Sequence, residues 1–358
     1  MEIYAVIMAG GVGSRFWPRS REKKPKQLLQ IFGDRTMIQQ TVDRVKEFIP
    51  AENILIITNI VQKQEIIEQL PELNKDNIIA EPLGKNTAPC IGLASVLVSR
   101  KIKDAVTIVL PADHLIIEKD NFLNILRDAA NFAYNHKKLI TIGIQPTRPE
   151  TGYGYIEIDK NQPVEEKFYK VVRFTEKPNL EKAKEFLQTG NFMWNSGMFV
   201  WRVDTILDEI KNYLPEQFVL LEVINKKLND NLNLDDILND VYPKFSSISI
   251  DYGIMEKSKE VFLIKSNFTW NDVGSWEEVY NLSQKDENNQ AVTAENYFSF
   301  NSKNNYIYVP KKFVGLVGVE NLIIIDTPDA LLICNKDNAQ DVKKIVDDLK
   351  NRKLDEYC

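Results

Sequence analysis

Short apolar segments alternate with amphipathic segments over the first 144 residues of the chain. The apolar segments lack polar alternation, which is typical of strands that are buried on both faces of a sheet. The segments between them repeat apolar residues at helical spacing. This alternation predicts a mostly parallel sheet with helices on both faces. We expect its strands at residues 2–8, 53–58, 77–81, 105–110 and 139–144.

A glycine-rich turn follows the first of these strands directly. Gly10, Gly11 and Gly13 let the backbone adopt positive φ and approach a ligand closely. Consecutive N–H groups in such a turn form an anion-binding concavity, and Arg15 and Lys26 add positive charge nearby. The spacing is neither that of a dinucleotide-binding turn nor that of a Walker loop. The turn therefore predicts binding of a polyphosphate.

Two aspartates that lie far apart in sequence are candidate metal ligands. Asp113 follows the carboxyl end of the fourth expected strand, and Asp272 follows a later strand-like segment. Ligands of such sheets bind beyond the carboxyl ends of the strands. Magnesium is usually held by one or two carboxylates together with phosphates. Either aspartate alone could cap a turn, but the two together predict Mg²⁺, or another divalent cation, on the phosphates. We expect His114 to be a packing neighbour rather than a base.

Later segments combine groups that a sugar phosphate requires. In Glu176-Lys177, the carboxylate can bind vicinal hydroxyls and the ammonium can bind a phosphate. An isolated pair of this kind is usually a surface ion pair. Gly154, where backbone can approach a ring, and Asn195, which offers a donor and an acceptor, favour the sugar site. Asp251, by contrast, reads as structural.

The segment after the third expected strand allows two interpretations. Glu81 stands at the strand end, and Asn86 and Thr87 stand at a helix start. The Glu81 carboxylate could accept the paired N1–H and N2–H donors of guanine, while Asn86 and Thr87 complete a contact to base or phosphate. A plain strand–loop–helix connection explains the same residue types.

The composition excludes several classes of protein. A net charge of −6 over 358 residues gives no reason to expect a nucleic-acid or membrane partner. No apolar run approaches the roughly 18 residues of a membrane span. Only two histidines occur, which leaves little room for a Ser–His–Asp site or a histidine zinc site. The three scattered cysteines predict a reducing compartment, and hence a cytoplasmic location.

A polar run at residues 284–290 predicts a domain boundary. The preceding elements read as one domain, because no Pro/Gly/Ser-rich linker interrupts them. Beyond the run, short strand candidates at regular spacing predict a small β domain or β-solenoid coil. A terminal helix, capped by Asp337 or Asn338, carries an apolar stripe. We expect domains at 1–285 and 286–358.

The long form of the glycine segment carries a family resemblance. Residues 10–28 read GGVGSRFWPRSREKKPKQL. This string resembles the signature of the sugar-1-phosphate nucleotidylyltransferases, Gly-Gly-x-Gly-x-Arg-x₂-Pro followed by Pro-Lys. The segments around Asp113, Glu176, Asn195 and Asp272 follow in the family's order. The resemblance implies an α/β fold: a Rossmann-like nucleotidyltransferase domain with a mixed, mostly parallel sheet, plus a small C-terminal β-helix-like domain that ends in a helix.

The segments 81–89 and 25–28 resemble the mannose-1-phosphate guanylyltransferase branch of this family. That likeness implies transfer of GMP from GTP to α-D-mannose 1-phosphate with release of pyrophosphate, so GTP and mannose 1-phosphate are the expected partners. It also implies that a homodimer through the C-terminal domain can form. Three alternatives stay open: a sister enzyme that uses UTP or dTTP with glucose 1-phosphate, a nucleotide-sugar glycosyltransferase, and a non-catalytic nucleotide-sugar sensor.

The resemblance also implies roles for individual residues. The catalytic residues are Arg15, Lys26, Asp113 and Asp272, of which the two aspartates are the metal ligands. The nucleotide-binding residues are Ala9, Gly10, Gly11, Gly13, Ser14, Arg15, Lys26, Glu81, Asn86, Thr87 and Asp113. The sugar-phosphate-binding residues are Gly154, Glu176, Lys177, Asn195 and Ser196.

Overall fold

The computed structural model of the chain describes residues 1–11 and 13–358, so Val12 of the glycine-rich turn lies outside the described residues. The chain divides into two units. The larger unit comprises Met1–Gly10, Thr41–Ala112 and Ile116–Trp270. The smaller unit comprises Gly11–Gln40, Asp113–Leu115 and Asn271–Cys358. The domain boundary after residue 285 stays a prediction.

The strands up to residue 271 are short, and most are buried along their whole length. They are β1 (Ile3–Met8), β2 (Ile54–Asn59), β3 (Ile78–Glu81), β4 (Val106–Pro111), β5 (Leu115–Ile116), β6 (Leu139–Ile144), β7 (Tyr155–Ile158), β8 (Phe168–Thr175), β9 (Phe192–Arg202), β10 (Val261–Lys265) and β11 (Trp270–Asn271). The two-residue strands β5 and β11 lie where the chain passes from one unit to the other.

One mixed sheet organises the larger unit. Within the described residues it has nine strands in the order β3-β2-β1-β4-β9-β6-β10-β8-β7. The first four strands are parallel to one another, and β10 is parallel to β6. Strand β9 is antiparallel to both β4 and β6, and β8 is antiparallel to β10 and β7. The parallel part carries β1 and β4, so the segments that follow them start at the same edge of the sheet.

Strand β9 differs from its sequence interpretation. The residue types at Asn195-Ser196-Gly197 predict a turn before a strand, whereas these residues lie inside a continuous β9. The turn character survives as an irregularity within the strand: Gly197 has a φ of 67°, and the ladder to β6 shifts register between Thr141 and Gly143. Pairing resumes on both sides of this point, at Gly143 with Asn195 and at Thr141 with Phe199, so the strand is continuous.

Helices cover the sheet. They are α1 (Met37–Val45), α2 (Lys63–Gln69), α3 (Thr87–Ser99), α4 (Lys119–His136), α5 (Leu180–Thr189), α6 (Val203–Tyr213), α7 (Pro215–Asn229) and α8 (Leu234–Val241). Helix α3 is apolar on nearly all sides and lies in the main core of the unit, with Tyr4 and Val6 of β1 and Ile206 and Ile210 of α6. None of the described helices combines the length and apolar character that crossing a bilayer requires.

A coil of parallel strands organises the smaller unit. Its strands are β12 (Ala291–Phe300), β13 (Tyr306–Val317), β14 (Leu322–Asp326) and β15 (Leu331–Asn335), and its helices are α9 (Trp276–Leu282) and α10 (Lys343–Asn351). Strands β12, β13 and β14 pair in parallel and in succession, as the turns of a β-helix do, and β15 closes the sheet in the antiparallel sense.

The core of the smaller unit includes the segment that follows the glycine-rich turn. Phe16 and Trp17 are buried in one cluster with Trp276, Tyr306 and Val342. The indole N–H of Trp276 donates to the carbonyl of Trp17 at 3.1 Å, and the indole N–H of Trp17 donates to the carbonyl of Tyr357 at 2.9 Å. The turn region is therefore fixed by packing against the C-terminal part of the chain.

The end of the chain corrects one sequence expectation. Asn335, rather than Asp337 or Asn338, caps a 3₁₀ segment at Lys336–Val342, and α10 begins only at Lys343. The Asn335 side chain accepts from the Asp337 N–H at 3.0 Å, which fixes the earlier start. The predicted apolar stripe packs within the unit, through Ile345, Val346 and Leu349.

Candidate functional site

The glycine-rich turn adopts the backbone that its sequence predicts at Gly13. Its φ is +60°, and a Cβ there would lie 2.8 Å from the backbone nitrogen of Lys26 and 2.9 Å from its Cβ. Only glycine fits both conditions. Two side chains hold the turn from outside: Ser20 donates to the carbonyl of Gly13 at 2.7 Å, and Gln27 donates to the carbonyl of Gly11 at 2.9 Å.

A cavity of about 370 Å³ opens beside this turn in the smaller unit. Its charged lining residues are Arg15, Lys26, Asp113, Asp272 and Lys343. The four residues predicted to be catalytic thus line one space, together with a lysine that the sequence analysis did not select. Their roles stay predictions at this point.

Lys26 lines the cavity with a buried side chain. Its side chain is only 7% exposed, and its ammonium lies 2.7 Å from Oδ2 of Asp113. The same ammonium donates to the backbone carbonyls of Asp272 at 2.6 Å and Val273 at 3.1 Å. A lysine has three N–H donors, and three protein oxygens surround this one. Lys26 therefore ties the segments of both aspartates together.

The backbone after Asp272 is bent in a way that few β-branched residues adopt. Val273 has a φ of 50°, in the left-handed region, and its N–H donates to the side chain of Asn271 at 2.6 Å. This bend brings the carbonyls of both Asp272 and Val273 within reach of the Lys26 ammonium. Strain of this kind persists only where the surroundings fix it, and it is concentrated at functional sites.

The carboxyl group of Asp113 is held in its ionised form. Burial raises the pKa of this carboxyl group. The charges of Lys26 and His114, with hydrogen bonds from Lys26 and from the Asp113 backbone, lower the pKa by more than burial raises it. The net result is a pKa below the usual value of 3.8. A metal-ligating carboxylate must be deprotonated, and Asp113 satisfies that requirement across the neutral range.

The donor set around the cavity fits a hard divalent cation. Within the described residues, no group of three or more His, Cys, Asp or Glu side chains stands close enough to enclose a metal. Asp113 and Asp272 line the cavity as a pair of carboxylates. One or two carboxylates, completed by phosphate oxygens and water, is the arrangement typical of Mg²⁺ rather than of a zinc or calcium cage.

A second candidate site lies in the larger unit around Glu81. The side chain is buried, with 6% of its surface exposed, and it accepts a hydrogen bond from the hydroxyl of Tyr242. A Cβ on Gly10 would lie 3.6 Å from Oε2 of Glu81, so the glycine-rich segment begins against this carboxyl group. Burial raises the Glu81 pKa from 4.5 to about 7, and the Tyr242 hydrogen bond offsets part of the increase.

A third candidate site, also in the larger unit, surrounds Gly154. A Cβ there would lie 2.6 Å from Oε2 of Glu176 and 3.4 Å from Cβ of Asn195. The backbone N–H of Asn195 donates to the Gly154 carbonyl at 2.8 Å. Lys177 is exposed and pairs with Oε1 of Glu176 at 2.7 Å. The structure therefore places Gly154, Glu176, Lys177 and Asn195 together.

Asp251 is the residue of this third site that the sequence interpretation missed. The amide of Asn195 donates to Oδ1 of Asp251 at 2.7 Å. Burial raises the Asp251 pKa, the charge of Glu176 raises it further, and the Asn195 hydrogen bond works against both. Asp251 thus lies beside two predicted sugar-binding residues, although 56 positions separate it from Asn195. No local pattern around Asp251 indicates this contact.

Several predicted contact residues use their polar groups inside the protein. The N–H of Ala9 donates to the carbonyl of Ile57 at 2.8 Å, and the hydroxyl of buried Ser196 donates to the carbonyl of Ile142 at 2.6 Å. The residue type at Thr87 predicts a helix cap, but Asn86 caps α3 instead, with its side chain accepting from the Thr87 N–H at 2.9 Å. The Thr87 hydroxyl accepts from the Ile250 N–H at 2.8 Å. These polar groups therefore hold the protein backbone around the candidate sites through internal hydrogen bonds.

Comparison with known proteins gives matches along nearly the whole chain. A family model described as Nucleotidyl transferase matches residues 4–289. A second model, described as MannoseP isomerase/GMP-like beta-helix domain, matches residues 295–349. The first range contains the mixed sheet and every site residue predicted from the sequence, and the second contains most of the coil of parallel strands together with Lys343.

Individual relatives are similar over the same length. A mannose-1-phosphate guanylyltransferase of Salmonella muenchen is 39% identical over 360 residues, which are 99% of this chain and 75% of the relative. The mannose-1-phosphate guanylyltransferase RfbM of Salmonella typhimurium is 40% identical over 361 residues, 100% of this chain and 74% of the relative. A crystal structure from Thermus thermophilus, described as a mannose-1-phosphate geranyltransferase, superposes with a TM-score of 0.86 at 31% identity, covering 98% of this chain and 100% of that one.

The geometry of Gly13 yields a testable prediction. Gly13→Ala forces a left-handed alanine against the Lys26 backbone. We expect the free energy of unfolding to fall by about 1–3 kcal/mol from the backbone conformation alone. We also expect nucleoside triphosphate binding to weaken, since Lys26 must shift. Denaturant unfolding and titration calorimetry measure the two effects.

The matched control for this prediction is Gly318→Ala, at a glycine whose φ of 65° is also left-handed but whose Cβ would meet nothing within 4 Å. It should lower stability through the backbone conformation and leave nucleoside triphosphate binding unchanged. Equal effects of the two substitutions on binding would contradict the assignment of the Gly13 backbone as a fixed part of the site.

Proposed function

Because this chain belongs to the nucleotidyl transferase family and, within it, to the mannose-1-phosphate guanylyltransferases, we propose that it transfers GMP from GTP to α-D-mannose 1-phosphate. Pyrophosphate is the second product. The family, the α/β fold with its β-helix-like end, and the enzyme class predicted from the sequence are confirmed by these matches. The observation that carries the proposed chemistry is the single cavity lined by Arg15, Lys26, Asp113 and Asp272.

The reaction requires positioning and charge compensation rather than a general base. A phosphate oxygen of mannose 1-phosphate is already an anionic nucleophile. It forms a bond to the α-phosphorus of GTP while the bond between that phosphorus and the α,β-bridging oxygen breaks, and the electron pair leaves with pyrophosphate. Two anions must therefore meet in line, which favours a site that holds both reactants and offsets their charge.

The cationic residues of the cavity supply part of that compensation. Arg15 is exposed at the cavity wall, and we assign its guanidinium to the triphosphate, which it can bind through two donors at once. Lys26 is buried beside the cavity. Its ammonium adds positive charge near the triphosphate and keeps Asp113 and the 272–273 turn in place.

Asp113 and Asp272 are the residues that would hold Mg²⁺ or another divalent cation. When bound, such a cation polarises a phosphoryl group and offsets charge that develops in the transition state. The support for this assignment is the ionised state of Asp113, the shared cavity, and the two-carboxylate donor set.

The sugar phosphate is assigned to the third site. Glu176 and Asn195 offer acceptor and donor groups to the mannose hydroxyls, with Gly154 leaving room beside them. Asp251 fixes the orientation of the Asn195 amide through its hydrogen bond. Lys177, at the exposed end of the group, orients the incoming phosphate.

Strands β12 and β13 of the C-terminal coil carry an exposed apolar face that supports a homodimer. Phe298 and Phe300 of β12 and Phe313 and Val317 of β13 fall on one face of the parallel pair, and all four are more than half exposed. A second copy of the chain would cover them. Light scattering should then give twice the chain mass of 41.3 kDa, and Phe300→Asp with Phe313→Asp should return the value to one chain.

The activity itself is tested by pyrophosphate release from each nucleoside triphosphate paired with each sugar 1-phosphate. We expect the highest kcat/KM for GTP with mannose 1-phosphate. A preference for UTP or dTTP with glucose 1-phosphate would replace the guanylyltransferase proposal by a sister activity. Release of a nucleoside diphosphate from a nucleotide sugar would indicate a glycosyltransferase, and binding without turnover would indicate a sensor.

The metal site is tested by magnesium titration of the activity. Asp113→Asn and Asp272→Asn should each raise the half-saturating Mg²⁺ concentration by about tenfold or more, because each removes a charged ligand. The control is Asp76→Asn, an exposed aspartate of the larger unit. If both cavity variants titrate like the parent protein, the two-aspartate site is wrong.

The base site is tested by pH. Only the ionised form of Glu81 can accept both N1–H and N2–H of guanine. The Glu81 pKa of about 7 in the free protein therefore makes GTP affinity increase as pH rises through 7. From pH 6 to pH 8 the ionised fraction rises roughly tenfold, and we expect the dissociation constant to fall by a similar factor.

Glu81→Gln is the control for the pH experiment, since the γ-phosphate of GTP also titrates, with a pKa near 6. An amide cannot ionise, so the variant should keep only the phosphate contribution to the pH dependence and should bind GTP more weakly at pH 8. A pH profile unchanged by the substitution would remove Glu81 from base recognition.

A further inference from the structure

We propose that Lys343, the first residue of helix α10, is a further phosphate-binding residue that contacts the β- and γ-phosphates of the nucleotide and the pyrophosphate product. The inference rests on the proposed function and deepens it. It gives the terminal helix of the chain, which is marked in the sequence only by its apolar stripe, a part in the chemistry.

Lys343 lines the same cavity as Arg15, Lys26 and the two aspartates, and its side chain is exposed there. All of these residues belong to the smaller unit. The lysine therefore presents a mobile ammonium on a four-carbon stem to the space assigned to the triphosphate.

The backbone that carries Lys343 is fixed by packing on both sides of it. Val342, immediately before it, is buried in one core cluster with Phe16 and Trp17, and Ala339 lies in the same cluster. Ile345 and Leu349 of α10 pack on that cluster from the following turns. The segment that forms the cavity wall at 14–16 and the start of α10 are thus parts of one packed core. A residue on such an element is positioned for binding rather than free to move away.

The negative charge of the two substrates requires cationic side chains that are available in the cavity. A nucleoside triphosphate carries about four negative charges, and a sugar phosphate about two more. The Lys26 ammonium already lies within hydrogen-bond distance of three protein oxygens. In the part of the chain that the structure describes, neither Arg15 nor Lys343 forms an ion pair or a side-chain hydrogen bond. These two side chains are therefore the ones that can turn to incoming phosphates without breaking a contact.

Lys344, the neighbouring lysine, differs from Lys343 in its ion pair and in its position outside the cavity. Lys344 pairs with Asp341 at 2.9 Å and is not among the residues that line the cavity. Both lysines are exposed, stand in the same turn of the same helix and carry the same charge. Lys344→Ala is consequently a matched control for Lys343→Ala. A merely solvated lysine at 343 predicts the same result for both variants.

The first experiment is steady-state kinetics in both directions. Lys343→Ala should raise the KM for GTP and, in the reverse reaction, the KM for pyrophosphate by about tenfold, as loss of a charge-assisted contact does. The KM for mannose 1-phosphate should stay within about twofold. Lys343→Arg should restore most of the loss, and Lys343→Glu should exceed it. Lys344→Ala should match the parent protein in every constant.

The second experiment measures binding of inorganic pyrophosphate alone by titration calorimetry, with denaturant unfolding as a check on stability. Lys343→Ala should weaken pyrophosphate binding by about tenfold with unfolding unchanged, whereas Lys344→Ala should change neither. The proposal is overturned if the two alanine variants bind pyrophosphate equally, or if Lys343→Ala lowers stability and raises all KM values together.

The two proposals fail in different ways. If the parent protein released no pyrophosphate from any substrate pair, the proposed function would be wrong, while the calorimetric comparison of Lys343→Ala with Lys344→Ala would still decide the role of Lys343. If the parent protein is active and the two variants are indistinguishable, the proposed function stands and Lys343 is a solvated surface residue.

Discussion

The contacts of the Lys26 ammonium are the interactions on which the proposed nucleotide site depends. A buried ammonium is costly unless opposite charge and hydrogen-bond acceptors surround it. Here a carboxylate and two backbone carbonyls do so. The missing Cβ of Gly13 leaves the room that the Lys26 backbone needs, and the left-handed backbone at Val273 presents the carbonyls. One side chain thereby fixes both acidic segments before any ligand binds, which reduces the reorganisation that catalysis requires.

The two sites of the larger unit share a different principle. Each contains a shielded carboxyl group that accepts a hydrogen bond from a side chain distant in sequence: Tyr242 for Glu81 and Asn195 for Asp251. In both cases burial is the largest cause of a raised pKa. A ligand that donates hydrogen bonds to such a group regains part of the lost solvation. The edge of guanine and the hydroxyls of a sugar are ligands of that kind.

The C-terminal coil has a role beyond capping the chain. Its core includes Phe16 and Trp17 from the glycine-rich segment, and its last helix begins at the cavity with Lys343. A deletion of this part would therefore remove packing from the wall of the cavity. The exposed apolar face of β12 and β13 lies on the same unit, so the proposed dimer contact and the proposed phosphate site belong to one folded unit.

The sequence by itself determined the family and the fold class, and it predicted four of the five charged residues that line the cavity. Strand and helix periodicity are local properties, and a polyphosphate site requires glycines, cations and acids in a recognisable order around Gly13, Lys26, Asp113 and Asp272. Only the tertiary structure decided the partners of those residues. Lys26 meets a carbonyl 246 positions away, Glu81 meets Tyr242 across 161, and Asn195 meets Asp251 across 56. Such pairs, like the placement of Lys343, follow from how packed elements are arranged in space, and no local spacing encodes that arrangement.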